Sequence, residues 1–279
     1  MPSDPAGGHP LAGVEARPGV PKPDPILRLD GLRRSFGGLD AVDVDHLEVQ
    51  RGVITALIGP NGAGKTTLFN LLTGFDRSDG GQVVFEGRDV TRWPPYRIAR
   101  AGMVRTFQLT KALAKMSVID NMKLAAREQV GEHFWSALVP GLWARQEREI
   151  EARADRLLER FNLAGVRDDY AATLSGGQRK LLEMARALMV EPRMVLLDEP
   201  TAGVNPALVE SILEHVLELR DEGMTVLFVE HDMDVVMGIG EWVTVMSEGE
   251  IISEGPPATV ARDEVVVDAY LGTRHGAGS

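Results

Sequence analysis

The sequence predicts an α/β fold built on a parallel β-sheet. Three short and almost entirely apolar runs, at residues 53–58, 194–197 and 225–229, indicate buried strands. Helical stretches separate these runs, and an alternation of strands and helices is typical of a parallel sheet. With 279 residues, 44% of them hydrophobic, the chain is large enough to bury such a core.

The charge balance and the residue types present exclude several classes of function. The 30 basic and 41 acidic residues give a net charge of −11, which argues against a protein that coats nucleic acid but not against nucleotide binding. The absence of cysteine excludes disulfide frameworks, cysteine zinc sites and thiol nucleophiles. No apolar run approaches the roughly 18–20 residues of a membrane helix and no secretory signal is visible, so we expect a soluble chain.

Composition also predicts how the chain is divided. Residues 1–25 hold seven of the sixteen prolines and four glycines, which predicts a disordered, unpacked arm. We expect the compact domain to span residues 26–272 and the small, polar tail at 273–279 to be flexible. A charged and mostly helical stretch at 121–172 predicts a helical subdomain, about residues 109–190, inserted into the α/β core.

The strongest motif is a complete phosphate-binding loop between the first apolar run and a predicted helix. Its residues are Gly59-Pro60-Asn61-Gly62-Ala63-Gly64-Lys65-Thr66-Thr67. The glycines let backbone N–H groups converge on phosphate oxygens without an intervening Cβ. We expect Lys65 to bind the β- and γ-phosphates of a nucleotide and the Thr66 hydroxyl to bind Mg²⁺.

Two carboxylates follow the apolar run at 194–197. Asp198 and Glu199 would stand at the carboxyl edge of the sheet, where ligands bind in open α/β folds. We expect Asp198 to act on Mg²⁺ through water, and Glu199 to polarise the attacking water as a general base. Taken alone, an Asp-Glu pair after a strand is also compatible with a solvated turn.

A second anion-binding concavity is predicted at the start of another helix. Leu174 is followed there by Ser175, Gly176, Gly177 and Gln178. One chain cannot easily place two such concavities on one triphosphate, whereas a symmetric dimer can, if each protomer covers the other's nucleotide. In isolation these residues are equally compatible with an ordinary helix N-cap.

Together with His231, which follows the run at 225–229, these motifs resemble the set found in ABC-transporter ATPase subunits. The resemblance covers residues 26–272. It implies a P-loop NTPase core with a parallel sheet, an N-terminal antiparallel β layer and an inserted helical subdomain. It also implies hydrolysis of ATP, with ATP and Mg²⁺ as cofactors.

Four further positions are assigned through this resemblance. Phe36 stands where the family usually carries an aromatic residue that stacks on adenine. Gln108 resembles the glutamine that contacts Mg²⁺ and the attacking water, and His231 resembles the histidine that hydrogen-bonds the γ-phosphate. Asn205 stands at a position where the family usually has aspartate, so this position carries no charge.

A finer resemblance links the chain to the subunits that energise branched-chain amino acid importers. The matching segments are residues 68–75, 104–108, 202–206 and 269–272, together with the stretch at 129–148. This resemblance implies import of hydrophobic amino acids through two separate transmembrane permease subunits. It also implies a second ATPase subunit, a solute-binding protein as an indirect partner, no nucleic acid, and a peripheral place at the cytoplasmic face of the membrane.

Other functions stay open at this point. ATPases for urea, amides or lipopolysaccharide share several of these segments. A non-transport ABC ATPase of DNA repair or of the ribosome is disfavoured because there is no sustained heptad run and only one phosphate loop. An inactive nucleotide-binding module is disfavoured because Lys65, Asp198, Glu199 and His231 are all present.

A stretch at 133–143 contains two of the four tryptophans, Trp135 and Trp143. One hypothesis is that these side chains are exposed and contact the membrane subunits. The alternative is that they form a local hydrophobic cluster on the helical subdomain.

Overall fold

In the computed structural model of the chain, the described residues are 9–106, 114–126 and 140–275, with side chains described for 9–106, 114–126 and 145–270. Contacts between Cα atoms divide these residues into two compact units. The first unit contains the described residues of 1–98 and 216–279, and the second contains those of 99–215.

The strands are β1 (Pro25–Phe36), β2 (Leu39–Gln50), β3 (Ile54–Ile58), β4 (Gly80–Phe85), β5 (Arg88–Asp89), β6 (Met103–Arg105), β7 (Met194–Asp198), β8 (Thr225–Val229), β9 (Trp242–Ser247) and β10 (Glu250–Gly255). The α-helices are α1 (Lys65–Leu72), α2 (Pro95–Ala101), α3 (Val118–Leu124), α4 (Pro140–Arg160), α5 (Gly176–Leu188), α6 (Pro206–Asp221), α7 (Met233–Ile239), α8 (Pro257–Val260) and α9 (Glu264–His275). Short 3₁₀ turns lie at Ala164–Val166 and Ala171–Thr173.

The first unit contains an antiparallel sheet with the strand order β2-β1-β4-β5. β1 and β2 form a hairpin in which Phe36 pairs with Leu39 across a turn of two glycines. Gly37 and Gly38 have φ angles of 56° and 89°, a left-handed backbone that glycine adopts without steric cost. The antiparallel layer that the resemblance implied near the N-terminus is therefore confirmed.

The first unit also contains the strands β10-β9-β3-β8, in that order. β3 runs parallel to both of its neighbours, so that Leu57 lies opposite Val229 on one side and Thr244 on the other. All residues of β3 and β8 are buried, as expected for strands covered on both faces of a parallel sheet. The predicted α/β fold with a parallel sheet is confirmed.

The second unit combines two parallel strands with helices. β6 pairs with β7, and Val104 lies opposite Val195. α3 packs against α4 and α5, and all three helices fall within the range predicted for the helical subdomain. Among the residues that the structure describes, no helix combines the length and apolarity needed to cross a membrane.

The N-terminal arm is packed over the part that the structure describes. Leu11 and Val20 are buried and form a hydrophobic cluster with Val53 and Trp242 of the first unit. The prediction of an unpacked arm over residues 1–25 is therefore wrong for residues 9–25. The high proline and glycine content suggested an extended segment, but two aliphatic side chains are enough to anchor it because each buries its apolar surface against the sheet.

A buried ion pair reinforces this packing. Lys22 Nζ lies 3.0 Å from Glu254 Oε1, and the two side chains are 1% and 0% exposed. Glu254 also accepts hydrogen bonds from Trp242 Nε1 at 3.1 Å and from the Gly19 backbone N–H at 2.8 Å. Burial lowers the pKa of Lys22, and the charges of Glu254 and Glu48 oppose that shift. The pair therefore ties the arm to β10.

We expect Lys22→Met to lower the free energy of unfolding by about 3–5 kcal/mol, because it leaves the Glu254 carboxylate buried without its counter-charge. Chemical denaturation of the purified protein measures this change. Lys115→Met, the same substitution at an exposed lysine, is the matched control and should unfold like the wild type. Equal denaturation midpoints for Lys22→Met and Lys115→Met would show that the Lys22–Glu254 ion pair contributes nothing to stability.

Candidate functional site

The phosphate loop lies between β3 and α1, in the strand–loop–helix order that its pattern predicts. Gly64 precedes α1 with a φ of 100°. A Cβ on Gly59 would lie 1.9 Å from the Met246 carbonyl oxygen, and one on Gly64 would lie 2.1 Å from the Ala41 carbonyl oxygen. These approaches leave room only for glycine, so the path of the loop depends on both residues.

The backbone and the lysine of the loop are held by its own hydrogen bonds. Lys65 Nζ donates to the carbonyl oxygens of Gly59 at 2.6 Å and Pro60 at 2.8 Å, and the residue is 6% exposed. The Ala63 N–H donates to Pro60, and the Ala63 carbonyl accepts from Gly249. No acidic residue lies in the first turn of α1. The loop therefore presents one ammonium group and a helix N-terminus, a combination that favours anions.

Several other loop residues are accessible to a ligand. Asn61, Gly62 and Thr66 are exposed, and Thr67 is half-buried. The role of the Thr66 hydroxyl in binding Mg²⁺ stays a prediction.

Tyr270 contacts the phosphate loop from the C-terminal helix α9. Its hydroxyl shares a hydrogen bond with the backbone of Gly59, and burial raises the pKa of the Tyr270 hydroxyl while this hydrogen bond opposes the rise. We did not predict this contact from the sequence. The only signal was that Tyr270 belongs to one of the segments shared with the branched-chain importer subunits, which gives no spatial information.

Phe36 forms an aromatic surface at the end of β1. The ring is 48% exposed, and the guanidinium carbon of Arg34 lies 4.4 Å from its centroid. Arg34 is itself fixed by Asp76 at 3.0 Å and Asp79 at 2.9 Å. The Arg34 guanidinium therefore packs against the Phe36 ring, while about half of the Phe36 side chain stays available for stacking.

His231 follows β8 and is exposed. Its backbone N–H donates to Glu230 Oε2 at 3.2 Å. β8 is the parallel neighbour of β3, and Leu57 lies opposite Val229. His231 and the phosphate loop therefore follow the carboxyl ends of two adjacent parallel strands, at the same edge of the sheet.

In the second unit, Asp198 ends β7 and is paired with an arginine. Arg105 Nη2 lies 2.5 Å from Asp198 Oδ2, and the arginine side chain is 2% exposed. The two residues meet because Arg105 lies opposite Leu196 in the parallel β6–β7 pair. We predicted a role for Asp198 but not its partner, because the pairing of β6 with β7 cannot be recognised from local sequence.

Glu199 has an unusual backbone conformation. Its φ angle is 48°, in the left-handed region that residues with a Cβ rarely adopt. This conformation changes the direction of the backbone directly after β7, which ends at Asp198. Such strain is typical of residues held in place for function.

Ser175 caps α5. Its Oγ accepts from the Gln178 N–H at 3.2 Å, and Gln178 Oε1 accepts from the Ser175 N–H at 3.0 Å, so the two residues form a capping box. A Cβ on Gly177 would lie 1.6 Å from Leu208 Cδ2 of α6. The N-cap interpretation is thus realised within the chain, and the role of these residues toward a second protomer stays a prediction.

Asn205 has a structural role that does not need a charge. Its Oδ1 accepts a hydrogen bond of 3.0 Å from the Leu208 N–H, which caps the start of α6. Asparagine and aspartate cap helices equally well, so the substitution leaves this end of α6 intact. Three predicted residues cannot be placed: Gln108, Trp135 and the side chain of Trp143 lie outside the described residues.

Comparison with protein families decides the membership of the chain. The model described as "ABC transporter" matches residues 42–202, which is more than half of the sequence. The chain belongs to this family. A second model, described as "Branched-chain amino acid ATP-binding cassette transporter", matches residues 250–276, a range that includes Tyr270 and the whole of α9. The predicted membership among ABC-transporter ATPases is confirmed.

Relatives and solved structures agree with this membership. A probable branched-chain amino acid transport ATP-binding protein, LivG, from Archaeoglobus fulgidus is 44% identical over 249 residues, which is 89% of this chain and 96% of the relative. The high-affinity branched-chain amino acid transport protein BraF from Pseudomonas aeruginosa is 39% identical over 250 residues, 89% of this chain and 98% of the relative.

Two solved structures, each of an ATP-binding cassette from an ABC transporter, superpose closely on this chain. One is nucleotide-free, with a TM-score of 0.77, 40% identity, and coverage of 88% of this chain and 98% of that chain. The other is in an ADP conformation, with a TM-score of 0.75, 38% identity, and coverage of 89% of this chain and 99% of that chain. The P-loop core that we predicted is therefore the fold of this ABC ATPase.

The residues assigned to the metal have the donor chemistry of a magnesium site. Mg²⁺ prefers oxygen ligands and usually keeps several of its waters. Thr66 is an exposed residue that carries a hydroxyl oxygen, and Asp198 carries a carboxylate on a side chain that is 22% exposed in spite of its bond to Arg105. Each of the two residues, taken by itself, therefore offers the type of donor that the ion prefers.

Proposed function

We propose that the chain is the ATP-binding and ATP-hydrolysing subunit of an ABC importer for branched-chain amino acids. The observation that carries ATP hydrolysis is the complete phosphate loop, with Lys65 buried at the start of α1. The choice of solute rests on the match of residues 250–276 to the branched-chain family model and on the names of the relatives.

In the proposed reaction, some residues of the chain bind and orient ATP, and others accept a proton or donate a hydrogen bond. Lys65 and the backbone N–H groups of the loop bind the phosphates, and Phe36 stacks on adenine. Glu199 accepts a proton from the attacking water, and His231 hydrogen-bonds the γ-phosphate. Thr66 and, through water, Asp198 would hold Mg²⁺, together with Gln108. When bound, the ion would supply positive charge to offset that of the phosphates.

The proposal requires a second ATPase subunit, either a copy or a paralogue. In this dimer, Ser175, Gly176, Gly177 and Gln178 of each subunit face the nucleotide of the other. An exposed Ser175 at a helix N-terminus fits such a role, because it offers a hydroxyl and helix N–H groups to an anion.

Two transmembrane permease subunits and, indirectly, a solute-binding protein complete the proposed complex. The chain would then be a peripheral subunit at the cytoplasmic face of the membrane. Urea, amide and lipopolysaccharide transporters are the alternatives that the test must separate.

Reconstitution of the assembled transporter in proteoliposomes tests the proposal. Uptake of radiolabelled leucine should require external binding protein and internal ATP. Urea and short amides, offered in parallel with the same proteoliposomes, are the controls for the solute class. Uptake of an amide without uptake of leucine would contradict the proposed solute and leave the ATPase intact. Failure to hydrolyse ATP in the assembled complex would contradict the proposal as a whole.

Phe36→Ala tests the proposed contact with the base. Loss of stacking costs about 1–3 kcal/mol, so we expect ATP affinity to fall about 5- to 150-fold. Phe36→Tyr, which keeps the aromatic face, should bind like the wild type. Inorganic tripolyphosphate has no base, and its affinity should be equal in all three proteins. A parallel loss for ATP and tripolyphosphate would mean that Phe36 supports the loop instead of contacting the base.

A further inference from the structure

Lys180 lies in α5 and reaches the turn that carries Glu199. Its Nζ donates to the carbonyl oxygens of Glu199 at 3.1 Å, Pro200 at 3.1 Å and Ala202 at 2.5 Å. A lysine ammonium has three N–H donors, and here three carbonyls of one short turn accept from it. The side chain therefore gathers the backbone directly after β7 around one positive charge.

Local backbone preferences do not favour the shape of this turn, since Glu199 has a φ of 48°. Within the turn, the Ala202 N–H donates to the Glu199 carbonyl at 3.2 Å and the Val204 N–H donates to the Thr201 carbonyl at 3.3 Å. A left-handed backbone at a residue with a Cβ persists only where the surroundings hold it. Lys180 is the side chain that supplies three of the bonds at this place.

α5 and the segment after Glu199 also meet at a second point. Gly177 packs so closely against Leu208 that a Cβ on the glycine would overlap Leu208 Cδ2. Lys180 and Gly177 lie on the same helix, three residues apart, so the two contacts fix both ends of the segment 199–208 relative to the start of α5.

We propose that Lys180 is a positioning residue for Glu199. By holding the carbonyls of residues 199–202, the ammonium keeps the left-handed turn and, with it, the place of the Glu199 carboxylate at the end of β7. The proposal rests on the proposed function, in which Glu199 is the general base. In this proposal Lys180 acts on Glu199 through the backbone and takes no direct part in the reaction.

Lys180→Met is the central variant, because methionine fills similar space without donors. We expect kcat for ATP hydrolysis to fall about 10- to 100-fold, as for a small displacement of a catalytic group. The KM for ATP and the melting temperature should stay unchanged. Lys180→Arg, which can still donate to several carbonyls, should recover part of kcat, and Lys115→Met, at an exposed lysine, should match the wild type.

A double variant distinguishes positioning from a general structural role. In the Glu199→Gln background, Lys180→Met should cause no further loss of kcat, because the group that it positions is already inactive. An additional tenfold loss in that background would overturn the proposal. Wild-type kcat in Lys180→Met would also overturn it, as would a loss of kcat that is matched by a lower melting temperature and weaker ATP binding.

The same measurements separate this proposal from the proposed function. If Glu199→Gln hydrolyses ATP like the wild type, the general base is misassigned and both proposals fail. If Glu199→Gln is inactive while Lys180→Met is fully active, only the positioning role fails. Should Lys180→Met not fold, Lys180→Gln, which is uncharged and shorter than lysine, replaces it in the same comparisons with the same expected pattern.

Discussion

Glu199→Gln should nearly abolish ATP hydrolysis while ATP binding persists. Glutamine has the shape of glutamate but cannot accept the proton of the attacking water, and a general base contributes about 10²–10⁴ to a rate. The substitution leaves the backbone chemistry of the turn unchanged, including the carbonyl that accepts from Lys180. Release of inorganic phosphate from purified protein measures the loss.

In the proposed dimer, the same variant should accumulate in the ATP-bound form, because hydrolysis would be the step that allows the closed pair to open. Size-exclusion chromatography with and without ATP detects this species. Glu248→Gln is the matched control, since Glu248 is an exposed glutamate with a φ of 49°, nearly that of Glu199. Equal turnover in Glu199→Gln and in this control would show that Glu199 is not the base.

Lys65→Ala should have the opposite effect and lose ATP binding itself. The ammonium is held by the Gly59 and Pro60 carbonyls at the start of α1, where we expect the phosphates to bind. A hydrogen bond to a charged group contributes about 1.5–3 kcal/mol, which corresponds to about a 10- to 150-fold weaker affinity. Isothermal titration with ATP measures the change.

Lys115→Ala is the control for this variant, because it removes the same charge from an exposed position. It should bind ATP like the wild type, and both variants should melt within a few degrees of it. Unchanged ATP affinity in Lys65→Ala would contradict the assignment of the loop. Comparing Lys65→Ala with Glu199→Gln then separates binding from chemistry in the same protein.

The phosphate loop and the parallel strands could be predicted because they are encoded locally. Gly59, Gly64 and Lys65 lie within seven residues, and the apolar runs around β3, β7 and β8 have the length and composition of buried strands. The capping box at Ser175 is local in the same way, since its two partners are three residues apart.

The contacts that we missed join residues that are far apart in the chain. Arg105 and Asp198 are separated by 93 positions, and their ion pair depends on the register of β6 against β7. Lys180 meets the turn after Glu199 only because α5 packs beside it, and Tyr270 reaches Gly59 from the opposite end of the sequence. No periodicity or motif spacing contains this information.

The arm was predicted wrongly for a related reason. Its composition is dominated by proline and glycine, while its contribution to the core comes from three side chains, Leu11, Val20 and Lys22. The average composition of a segment weights every residue equally. Burial depends instead on the few side chains that pack against another part of the fold.

Because the arm is packed, the residue at which the family match begins differs from the residue at which the packed core begins. The match to the general family model begins at residue 42, whereas buried side chains that pack into the core extend back to Leu11. A truncated protein that starts at residue 26 would keep the phosphate loop and the other motifs, yet it would expose Trp242 and leave the buried Glu254 carboxylate without its cation. For this protein, the range that the family model matches and the range required for a complete core are different lengths of chain.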